Sequence, residues 1–390
     1  MKLQQGREIM KEAVIVAAKR TAVGKSGGMF KNVPPENLTA PLIQQIVKEY
    51  KLDLESIDEV ILGNAVGPGG NLARLCALTA GLPFSVPGIT VDRQCGSGLE
   101  AVNIAARLVQ AGAGDIYLAG GVESTSLAPW KLAKPSTLHD PKGPQLFMRA
   151  RFSPDEIGDP SMGLAAENVA EVYDISREDQ DSFAYHSQSK AIHAIESGYF
   201  DEEIVPVKGQ TIDECPRRNL TIKRLGVLPP VFKEDGTVTA GNACPLNDGA
   251  SIVLIMSSDK CQKLGLQPIL RFVDAASSGV DPNYLGVGPV PAVRKLLKRQ
   301  QLSIYDLDIV EFNEAFASQV LASLKELSIP LEKVNMNGGA LAIGHPYGAS
   351  GAILITRLYT EMKRHRLKRG LATLGIGGGL GLATLVELIE

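Results

Sequence analysis

A cysteine at a sharp turn is the residue of this sequence whose setting points most directly to chemistry. Cys95 lies in the run Thr90-Val91-Asp92-Arg93-Gln94-Cys95-Gly96-Ser97-Gly98-Leu99-Glu100, where a strand-like stretch leads into a Gly-Ser-Gly turn and a helical pattern. Free backbone N–H groups and the positive end of the helix dipole favour a thiolate there. We therefore predict a nucleophile, although a small buried residue at a tight turn is the alternative for any isolated cysteine.

Three positions in the C-terminal part of the chain offer partners for this thiol. His345 follows an apolar, glycine-rich stretch that would keep its imidazole partly buried, which suits a general base; a histidine satisfied within the core is the alternative. Asn313 follows a strand, and its amide could orient a water or polarise a carbonyl oxygen. The N–H group of Gly377, in the run 375–381, could join that of Cys95 in binding an oxyanion. Asn313 and Gly377 are otherwise ordinary turn residues.

Composition and charge exclude several other classes of protein. The chain of 390 residues is 44% hydrophobic and 21% charged, and its formal net charge is -3. This balance argues against a nucleic-acid partner or a membrane surface and favours a small-molecule enzyme of two or three domains. The five cysteines lack the spacing of a metal site or a disulfide framework, which fits a reducing compartment, so we expect a cytoplasmic protein. No apolar run approaches the ~18 residues of a membrane span.

The elements that must position these residues occur twice in the sequence. A gapless shift of 250 positions brings the apolar pattern of 41–60 onto that of 291–310. With slightly larger shifts, Ser97-Gly98 matches Ser350-Gly351, and the strand 115–121 matches 371–377. Each half then follows a β-α-β-α-β outline. We predict two mixed sheets that pack face to face over shared central helices.

The stretch between the two halves differs in composition. From Glu123 to about Asp248 it is rich in proline, charge and irregular segments, and it is predicted to be an inserted loop domain. Within it, Ser176 is predicted to cap a charged helix that continues to Ser197. We predict three parts: an N-terminal half of 1–122 plus 249–268, a loop domain of 123–248 and a C-terminal half of 269–390.

Several of these motifs, in this order, resemble the thiolase family over essentially the whole chain. The resemblance is carried by 14–24, Cys95-Gly96-Ser97-Gly98, Gly120-Gly121-Val122-Glu123-Ser124, Met162-Gly163 with 166–170, Thr239-Ala240-Gly241-Asn242-Ala243, 247–250, Asn313-Glu314-Ala315-Phe316 and Gly344-His345-Pro346. It implies a five-layered α-β-α-β-α fold, α/β in class, and a homodimer or homotetramer. It also implies an acetyl-CoA C-acetyltransferase type of acyltransferase in fatty acid metabolism, with acyl-CoA and CoA as partners and no separate cofactor or metal.

The resemblance also implies roles for individual residues. Ping-pong acyl transfer would proceed through S-acyl Cys95, with His345 activating the thiol. His345 and a water held by Asn313 would form one oxyanion hole, and the N–H groups of Cys95 and Gly377 the second. The substrate would be contacted by Met162, Ala243, Cys244 and Phe316. Candidates to meet the CoA phosphates are Arg217, Arg218, Lys223 and Arg224, although such a charge cluster is more often solvated.

One departure from the family pattern touches the chemistry. Thiolases carry a second cysteine at the start of the C-terminal glycine run, where it removes or returns the α-proton of the acetyl group; here that position is Gly375. Sterol-carrier thiolases move this cysteine into the Asn-Glu-Ala-Phe region, where this chain has Ala315. Cys244 stands where the pattern usually has serine near the pantetheine arm. It could supply the lost thiol, but a simple replacement at a ligand wall is the preferred interpretation. Asp92 is a milder departure, since the nucleophile motif usually begins with Asn.

We therefore expect retained S-acylation of Cys95 with slow carbon–carbon bond chemistry, because acylation needs no α-proton transfer. Two alternatives remain open. A decarboxylative condensing enzyme of the ketoacyl synthase type would generate its carbanion by loss of CO₂, without a base. A CoA-binding protein without turnover is the third reading, against which the intact Cys95, His345 and Asn313 argue.

Overall fold

The computed structural model describes residues 10–137, 139–147 and 149–390. Its strands are β1 (Ala13–Arg20), β2 (Gly24–Lys25), β3 (Glu59–Gly63), β4 (Gly88–Val91), β5 (Ile116–Ser124), β6 (Lys131–Ala133), β7 (Gln145–Phe147), β8 (Asn247–Ser257), β9 (Leu270–Gly279), β10 (Ile309–Phe312), β11 (Arg369–Ile376) and β12 (Leu380–Leu388). Its helices are α1 (Pro35–Glu49), α2 (Leu72–Thr79), α3 (Ser97–Gln110), α4 (Met162–Val172), α5 (Arg177–Glu196), α6 (Ile222–Gly226), α7 (Ser258–Lys263), α8 (Pro289–Gln300), α9 (Ala317–Leu327), α10 (Ala340–Ile343) and α11 (Tyr347–His365). No helix in the described ranges is long and apolar enough to cross a membrane.

Apart from the hairpin β6-β7, the strands form one ten-stranded order in which two mixed sheets meet at one edge. Their order is β10-β11-β12-β9-β1-β8-β5-β3-β4, with β2 beside β8. β3 runs parallel to β4 and β5, and β10 runs parallel to β11, whereas the other neighbours are antiparallel. β1 and β9 pair only through Val14 with Arg271 and Ile15 with Leu270. The two predicted sheets are therefore present, and this short contact joins them into one hydrogen-bonded order that the sequence did not predict.

Each sheet repeats the same plan, as the internal duplication predicts. In the first sheet the parallel pair β3 and β5 is followed by the antiparallel strands β8 and β1. In the second sheet β10 and β11 are followed in the same way by β12 and β9. The counterpart of β4 is reduced to one parallel bridge between Val310 and Val334. The predicted repeat is thus visible in the strand order, with one strand nearly lost from the second copy.

Apolar side chains on both faces of the sheets build five layers. α1 and α2 cover the outer face of the first sheet with a buried cluster that includes Leu42 and Cys76. α8 and α9 cover the outer face of the second sheet through residues such as Leu296 and Val320. α3 and α11 lie between the sheets. This confirms the predicted five-layered α-β-α-β-α arrangement, whose stability derives from apolar burial on both faces of each sheet.

Glycines let the two central helices approach each other at their N-termini. A Cβ on Gly98 would lie less than 3.0 Å from the carbonyl oxygen of Gly348, and a Cβ on Gly351 equally close to the backbone nitrogen of Leu99. A larger side chain at either position would push the helices apart, because backbone atoms cannot yield like a flexible side chain. Gly98 and Gly351 are the residues that the duplication matches. The contact is therefore nearly symmetric and brings the N-termini of α3 and α11 together.

Residues between β5 and β8 carry the small hairpin β6-β7 and the helices α4, α5 and α6. The predicted cap of α5 is confirmed, since the Ser176 hydroxyl accepts a 3.0 Å hydrogen bond from the Asp179 N–H. The helix ends at Glu196, and Ser197 is its C-cap residue. Its exposed face is charged, so α5 depends on packing and on this cap rather than on a strongly apolar stripe.

Buried charges fasten this inserted stretch to the layered body. Arg20 on β1 donates to Glu203 at 2.8 Å and to Asp213 at 2.7 Å, and all three side chains are at most 4% exposed. Arg357 on α11 donates to the same Glu203 at 2.8 Å. The ring of Phe200 lies 5.0 Å from the Arg20 guanidinium and 4.3 Å from that of Arg357. Every charge in this group has a partner, which is the condition for burying it.

Candidate active site

The turn that carries Cys95 is held by its neighbours. Gln94 adopts a left-handed conformation with φ of 49°. The Ser97 hydroxyl accepts a hydrogen bond from the Arg93 N–H at 2.8 Å and donates to the Gln94 carbonyl at 2.5 Å. A Cβ on Gly96 would lie less than 3.0 Å from the Ile376 side chain. The turn is therefore packed directly against β11, the strand that leads to the C-terminal glycine run.

The environment of the Cys95 sulfur differs from the one predicted. Burial is the largest influence on this thiol and raises the pKa of Cys95 to about 12. The N–H groups of Gly377 and of Cys95 itself lower the pKa, but by less than burial raises it. The expectation that the helix N-terminus favours a thiolate is therefore wrong for the resting site. At neutral pH Cys95 is a thiol and needs a base.

His345 is fixed in the form that such a base requires. Its backbone N–H donates to the Asn247 side-chain oxygen at 2.8 Å, and its Nδ1 lies 2.6 Å from the Ser350 hydroxyl. That hydroxyl donates its own proton to the Pro346 carbonyl at 3.2 Å, so it accepts from Nδ1–H and leaves Nε2 unprotonated. Burial lowers the pKa of His345 to about 4. The imidazole is thus neutral at pH 7, with its free lone pair on Nε2.

Asn313 lies beside this lone pair. Its Nδ2 atom is 3.4 Å from His345 Nε2, and its backbone N–H donates to the Thr373 carbonyl at 3.0 Å. The next residue, Glu314, anchors the loop because its buried carboxylate accepts from the Ser187 hydroxyl at 2.6 Å and from Asn335 Nδ2 at 2.7 Å. The structure therefore brings together Asn313 and His345, which the sequence placed 32 residues apart.

Glu123 is a site residue that the sequence reasoning missed. Its carboxylate accepts hydrogen bonds from the Ala65 N–H at 2.9 Å, the Gly348 N–H at 3.0 Å and Asn64 Nδ2 at 2.8 Å. Burial raises the pKa of Glu123 to about 7. These contacts tie the end of β5 to the first turn of α11, directly after His345. The motif that contains Glu123 was a visible signal, but its role depends on contacts with distant parts of the chain.

A cavity of about 340 Å³ opens above the nucleophile. Cys95, Gly377 and Met162 line it together with Tyr347, whose ring lies 5.1 Å from the His345 ring. In the described part of the chain, its basic lining residues are Lys131 and Arg149, which carried no signal in the sequence. The cavity offers the Cys95 sulfur to a ligand from solvent while His345 stays buried behind it.

The remaining predicted substrate residues lie around the Asn313 loop. Ala243 forms a β-bridge with Phe316, and the Cys244 N–H donates to the Ala315 carbonyl at 3.0 Å. Leu246 forms a bridge with His345. The segment 243–246 therefore passes from the Asn313 loop to the general base.

The four basic residues predicted to meet phosphates are partly engaged with the protein itself. Arg218 forms an ion pair with Glu196. Arg217 donates to the Ala240 carbonyl at 3.3 Å, and Arg224 to that of Asn219 at 2.7 Å. Lys223 lies on α6. Their contact with a ligand stays a prediction. Within 10–137, 139–147 and 149–390, no group of three or more His, Cys, Asp or Glu could hold a metal ion.

The space beside Gly375 is filled by the side chain of Gln319. A Cβ on Gly375 would lie 2.5 Å from Gln319 Nε2 and 3.3 Å from the carbonyl oxygens of Leu285 and Gly286. Gln319 is 2% exposed, and its Nε2 atom has no hydrogen-bond partner among the residues that the structure describes. The space that a side chain at 375 would use is therefore filled by the Gln319 amide, a group that cannot exchange a proton at neutral pH.

Comparison with known proteins agrees with this geometry. The family models for the thiolase N-terminal and C-terminal domains match residues 13–259 and 266–388. A relative from Staphylococcus epidermidis, named "Putative acetyl-CoA C-acetyltransferase VraB", is 53% identical over 382 residues, which cover 97% of this chain and 99% of the relative.

Two solved structures extend the comparison to the fold. The acetyl-CoA acetyltransferase of Bacillus anthracis has a TM-score of 0.92 at 41% identity, and the match covers 98% of this chain and 100% of that one. Human mitochondrial 3-ketoacyl-CoA thiolase, solved in complex with CoA, has a TM-score of 0.92 at 36% identity, covering 98% and 99% of the two chains. Since sequence and fold match over nearly the full length, the chain belongs to the thiolase family.

Proposed function

We propose that this protein is an acyl-CoA acyltransferase of the acetyl-CoA C-acetyltransferase type, which works through S-acyl Cys95. The observation that carries the proposal is a protonated thiol, Cys95, in a cavity that Tyr347 also lines, with the neutral imidazole of His345 behind the Tyr347 ring at a ring distance of 5.1 Å. The names of the relatives and the CoA complex of the human thiolase support a CoA thioester as substrate. No separate cofactor takes part in this scheme.

Acylation uses groups that are all in place. As the Cys95 sulfur attacks the thioester carbonyl, its proton passes to His345 Nε2. The negative charge that develops on the carbonyl oxygen is stabilised by the N–H groups of Cys95 and Gly377, both of which act on the sulfur by lowering the pKa of its thiol. When the tetrahedral intermediate collapses, CoA leaves as a thiol with the proton from His345. The low pKa of the imidazole makes this return of the proton favourable.

The carbon–carbon bond step places a further demand on the site. It needs a group that removes or returns a proton on the α-carbon, and Gly375 has no side chain for this. General acid–base groups contribute about 10² to 10⁴ in rate, so we propose that this step is slower than acylation by a factor of that order.

The absence of a side chain at Gly375 favours one second candidate, a decarboxylative condensing enzyme. Loss of CO₂ from malonyl-CoA would generate the carbanion without a base. The missing side chain at Gly375 would therefore not slow this reaction. A CoA-binding protein without turnover is the weaker alternative, because CoA binding alone does not require the fixed tautomer of His345.

We also propose a cytoplasmic homodimer or homotetramer that takes part in fatty acid metabolism, on the strength of the family resemblance. The proposed domains keep the predicted boundaries: 1–122 plus 249–268, 123–248, and 269–390. β8 belongs to the first sheet and β9 to the second, which supports a boundary between the two halves near residue 268.

The test is a rapid-mixing experiment with acetyl-CoA, in which the burst of free CoA is measured and the acetylated peptide is identified by mass spectrometry. We expect one burst equivalent per site, lost in Cys95→Ser and retained in Cys261→Ser, whose thiol lies buried against the Leu266 carbonyl. Turnover of malonyl-CoA without acetyl-CoA condensation would select the decarboxylative enzyme. CoA binding without any burst would reject both enzymes.

A further inference from the structure

The carboxylate of Glu123 is a buried group that the acylation step does not use. The side chain is fully buried, and four amide N–H donors meet its two oxygens. Oε1 accepts from Asn64 Nδ2 at 2.8 Å and from the Val66 N–H at 3.2 Å. Oε2 accepts from the Ala65 N–H at 2.9 Å and from the Gly348 N–H at 3.0 Å. Each oxygen therefore has two donors, which compensates the burial of the carboxylate.

Three of these donors lie in or next to the wall of the cavity above Cys95. Ala65 and Val66 line that cavity, and Gly348 follows Tyr347, which lines it as well. Ala65 and Val66 come after β3 in the first half of the molecule, whereas Gly348 lies in the first turn of α11 in the second half. The carboxylate thus joins two sides of the cavity wall, one from each half.

The segment that carries Ala65 and Val66 is not held by regular secondary structure. Residues 64–71 lie within the described ranges, and they belong to no helix or strand. The side chain of Asn64 supports the turn, because its Oδ1 accepts from the Gly67 N–H at 3.1 Å while its Nδ2 donates to the carboxylate. The position of this side of the wall therefore depends on the hydrogen bonds to the carboxylate.

The two sides of the wall also touch each other directly. A Cβ on Gly348 would lie 2.8 Å from the Asn64 Cα and 2.8 Å from the Gly63 carbonyl oxygen. The first turn of α11 and the end of β3 thus meet at backbone distance, and the carboxylate of Glu123 lies where they meet. A change at this carboxylate will consequently move both sides of the wall.

We propose that Glu123 is a positioning residue that fixes this wall of the acyl cavity and thereby makes the enzyme prefer acetyl-CoA to longer acyl thioesters. This inference rests on the proposed acyltransferase function. An acyl group on Cys95 extends into the cavity that Ala65, Val66 and Tyr347 line. A wall excludes a longer chain only if it stays in place, and one methylene group in an apolar pocket is worth about 10- to 200-fold in discrimination. Glu123 is not among the residues that line the cavity, so it acts through those that do.

Replacing one carboxylate oxygen by an amide nitrogen tests this role. In Glu123→Gln the side chain keeps its size, but the new NH₂ group is itself a donor and meets two donors of the wall. Those two hydrogen bonds are lost, so the segment after β3 or the first turn of α11 has to move.

The matched control is a second buried carboxylate that holds a loop elsewhere. Glu167 is 4% exposed and accepts from the Thr237 N–H at 2.9 Å and from the Val238 N–H at 2.8 Å. Neither of these two residues is among those that line the cavity above Cys95. Glu167→Gln should therefore disturb the fold in a similar way and leave the acyl cavity as it is.

The measurement is the rate of the CoA burst over a range of concentrations of acetyl-CoA and, separately, of butanoyl-CoA. The ratio of the two second-order rate constants of acylation is compared between variants. Because both constants come from the same preparation, their ratio does not depend on how much of the protein is folded. We expect wild type to favour acetyl-CoA, Glu123→Gln to lower this ratio about tenfold or more, and Glu167→Gln to behave like wild type.

The outcomes separate the inference from the proposed function. If wild-type protein gives no burst with either thioester, both fail. If the burst is present, a wild-type ratio near one, or a ratio in Glu123→Gln within about threefold of wild type, overturns the inference alone. An equal fall of the ratio in Glu167→Gln overturns it as well. Should Glu123→Gln give no folded protein by its CD spectrum, Glu123→Asp, whose shorter side chain draws the carboxylate back from the wall, is measured under the same criteria.

Discussion

The two halves of the molecule use equivalent helix N-termini for opposite purposes. In the first half, the turn before α3 presents Cys95 to an open cavity, where backbone N–H groups lower the pKa of its thiol. In the second half, the turn before α11 buries His345 to 2% exposure and surrounds it with the side chains of Asn247, Ser350 and Asn313. The duplicated scaffold determines where both residues lie, and the local side chains determine what each can do.

The difference follows from the demands on each group. A nucleophile must reach the substrate, so it has to face the cavity even though partial burial raises the pKa of the thiol. A base must stay unprotonated, and burial achieves this because it disfavours the charged imidazolium. The same physical effect, loss of water, therefore deactivates one partner and prepares the other.

Removing the base should give the largest effect. We expect His345→Ala to lower the acylation rate about 10² to 10⁴-fold, since a thiol with a pKa of about 12 keeps its proton without a partner. The measurement is the rate of the CoA burst with acetyl-CoA. His365→Ala, on an exposed side chain at the end of α11, is the control that should behave like wild type. A loss under threefold in His345→Ala would mean that another group takes the proton.

The symmetry of the central contact can be tested through its two glycines. We expect Gly351→Ala and Gly98→Ala each to lower the free energy of unfolding by about 1 to 3 kcal/mol, because the new methyl group meets backbone of the facing helix. Urea denaturation measures this, with Gly226→Ala as the control, since nothing lies within 4 Å of a Cβ there. Destabilisation by only one of the pair would show that the helices do not share the contact evenly.

A smaller effect is expected at Ser350. Its hydroxyl accepts from Nδ1–H of His345, so Ser350→Ala should weaken the tautomer preference by about 0.5 to 1.5 kcal/mol and slow acylation about three- to tenfold. The burst rate is again the readout, and Ser189→Ala on the exposed face of α5 is the matched control. An unchanged rate would show that the ring keeps its orientation without the Ser350 hydroxyl.

The smallest change should appear in the pH profile. Because the pKa of His345 is lowered to about 4, the base is neutral throughout the neutral range, and acylation should stay flat from about pH 5 to 9. The rate should fall only as pH drops through about 4. In the window between 4 and 6.5 the unfolded chain binds more protons at this residue, so the contribution of His345 to stability also declines as pH falls. If the burst rate instead falls with an apparent pKa near 6.5, the ordinary value for histidine, water reaches the imidazole.

Part of the candidate site follows from local patterns in the sequence. Cys95, His345 and Asn313 follow from motifs at strand ends, and the repeat of 41–60 in 291–310 predicted two similar sheets around shared helices. These features are local or periodic, so they leave a pattern in one sequence. The oxyanion contact of the Gly377 N–H stays a prediction.

Features that depend on packing could not be predicted in this way. The helix N-terminus suggested a reactive thiolate at Cys95, but the balance against burial depends on which residues surround the sulfur. Glu123 lies in the motif Gly120-Gly121-Val122-Glu123-Ser124, yet its partners Ala65 and Gly348 are 58 and 225 residues away in sequence. The amide of Gln319 over Gly375 has no local signature at all, because it comes from another layer of the fold.

The paired charges of Arg20, Arg357, Glu203 and Asp213 limit how this protein can be recombined with its relatives. Glu203 and Asp213 belong to the inserted stretch, whereas both arginines belong to the layered body. A chimera that exchanges only the insertion risks burying guanidinium groups without their carboxylates, which costs about 3 to 5 kcal/mol for each broken pair. The unit to exchange is therefore the insertion together with Arg20 and Arg357. Crossover points placed only in the loops that flank the insertion would separate these arginines from their carboxylates.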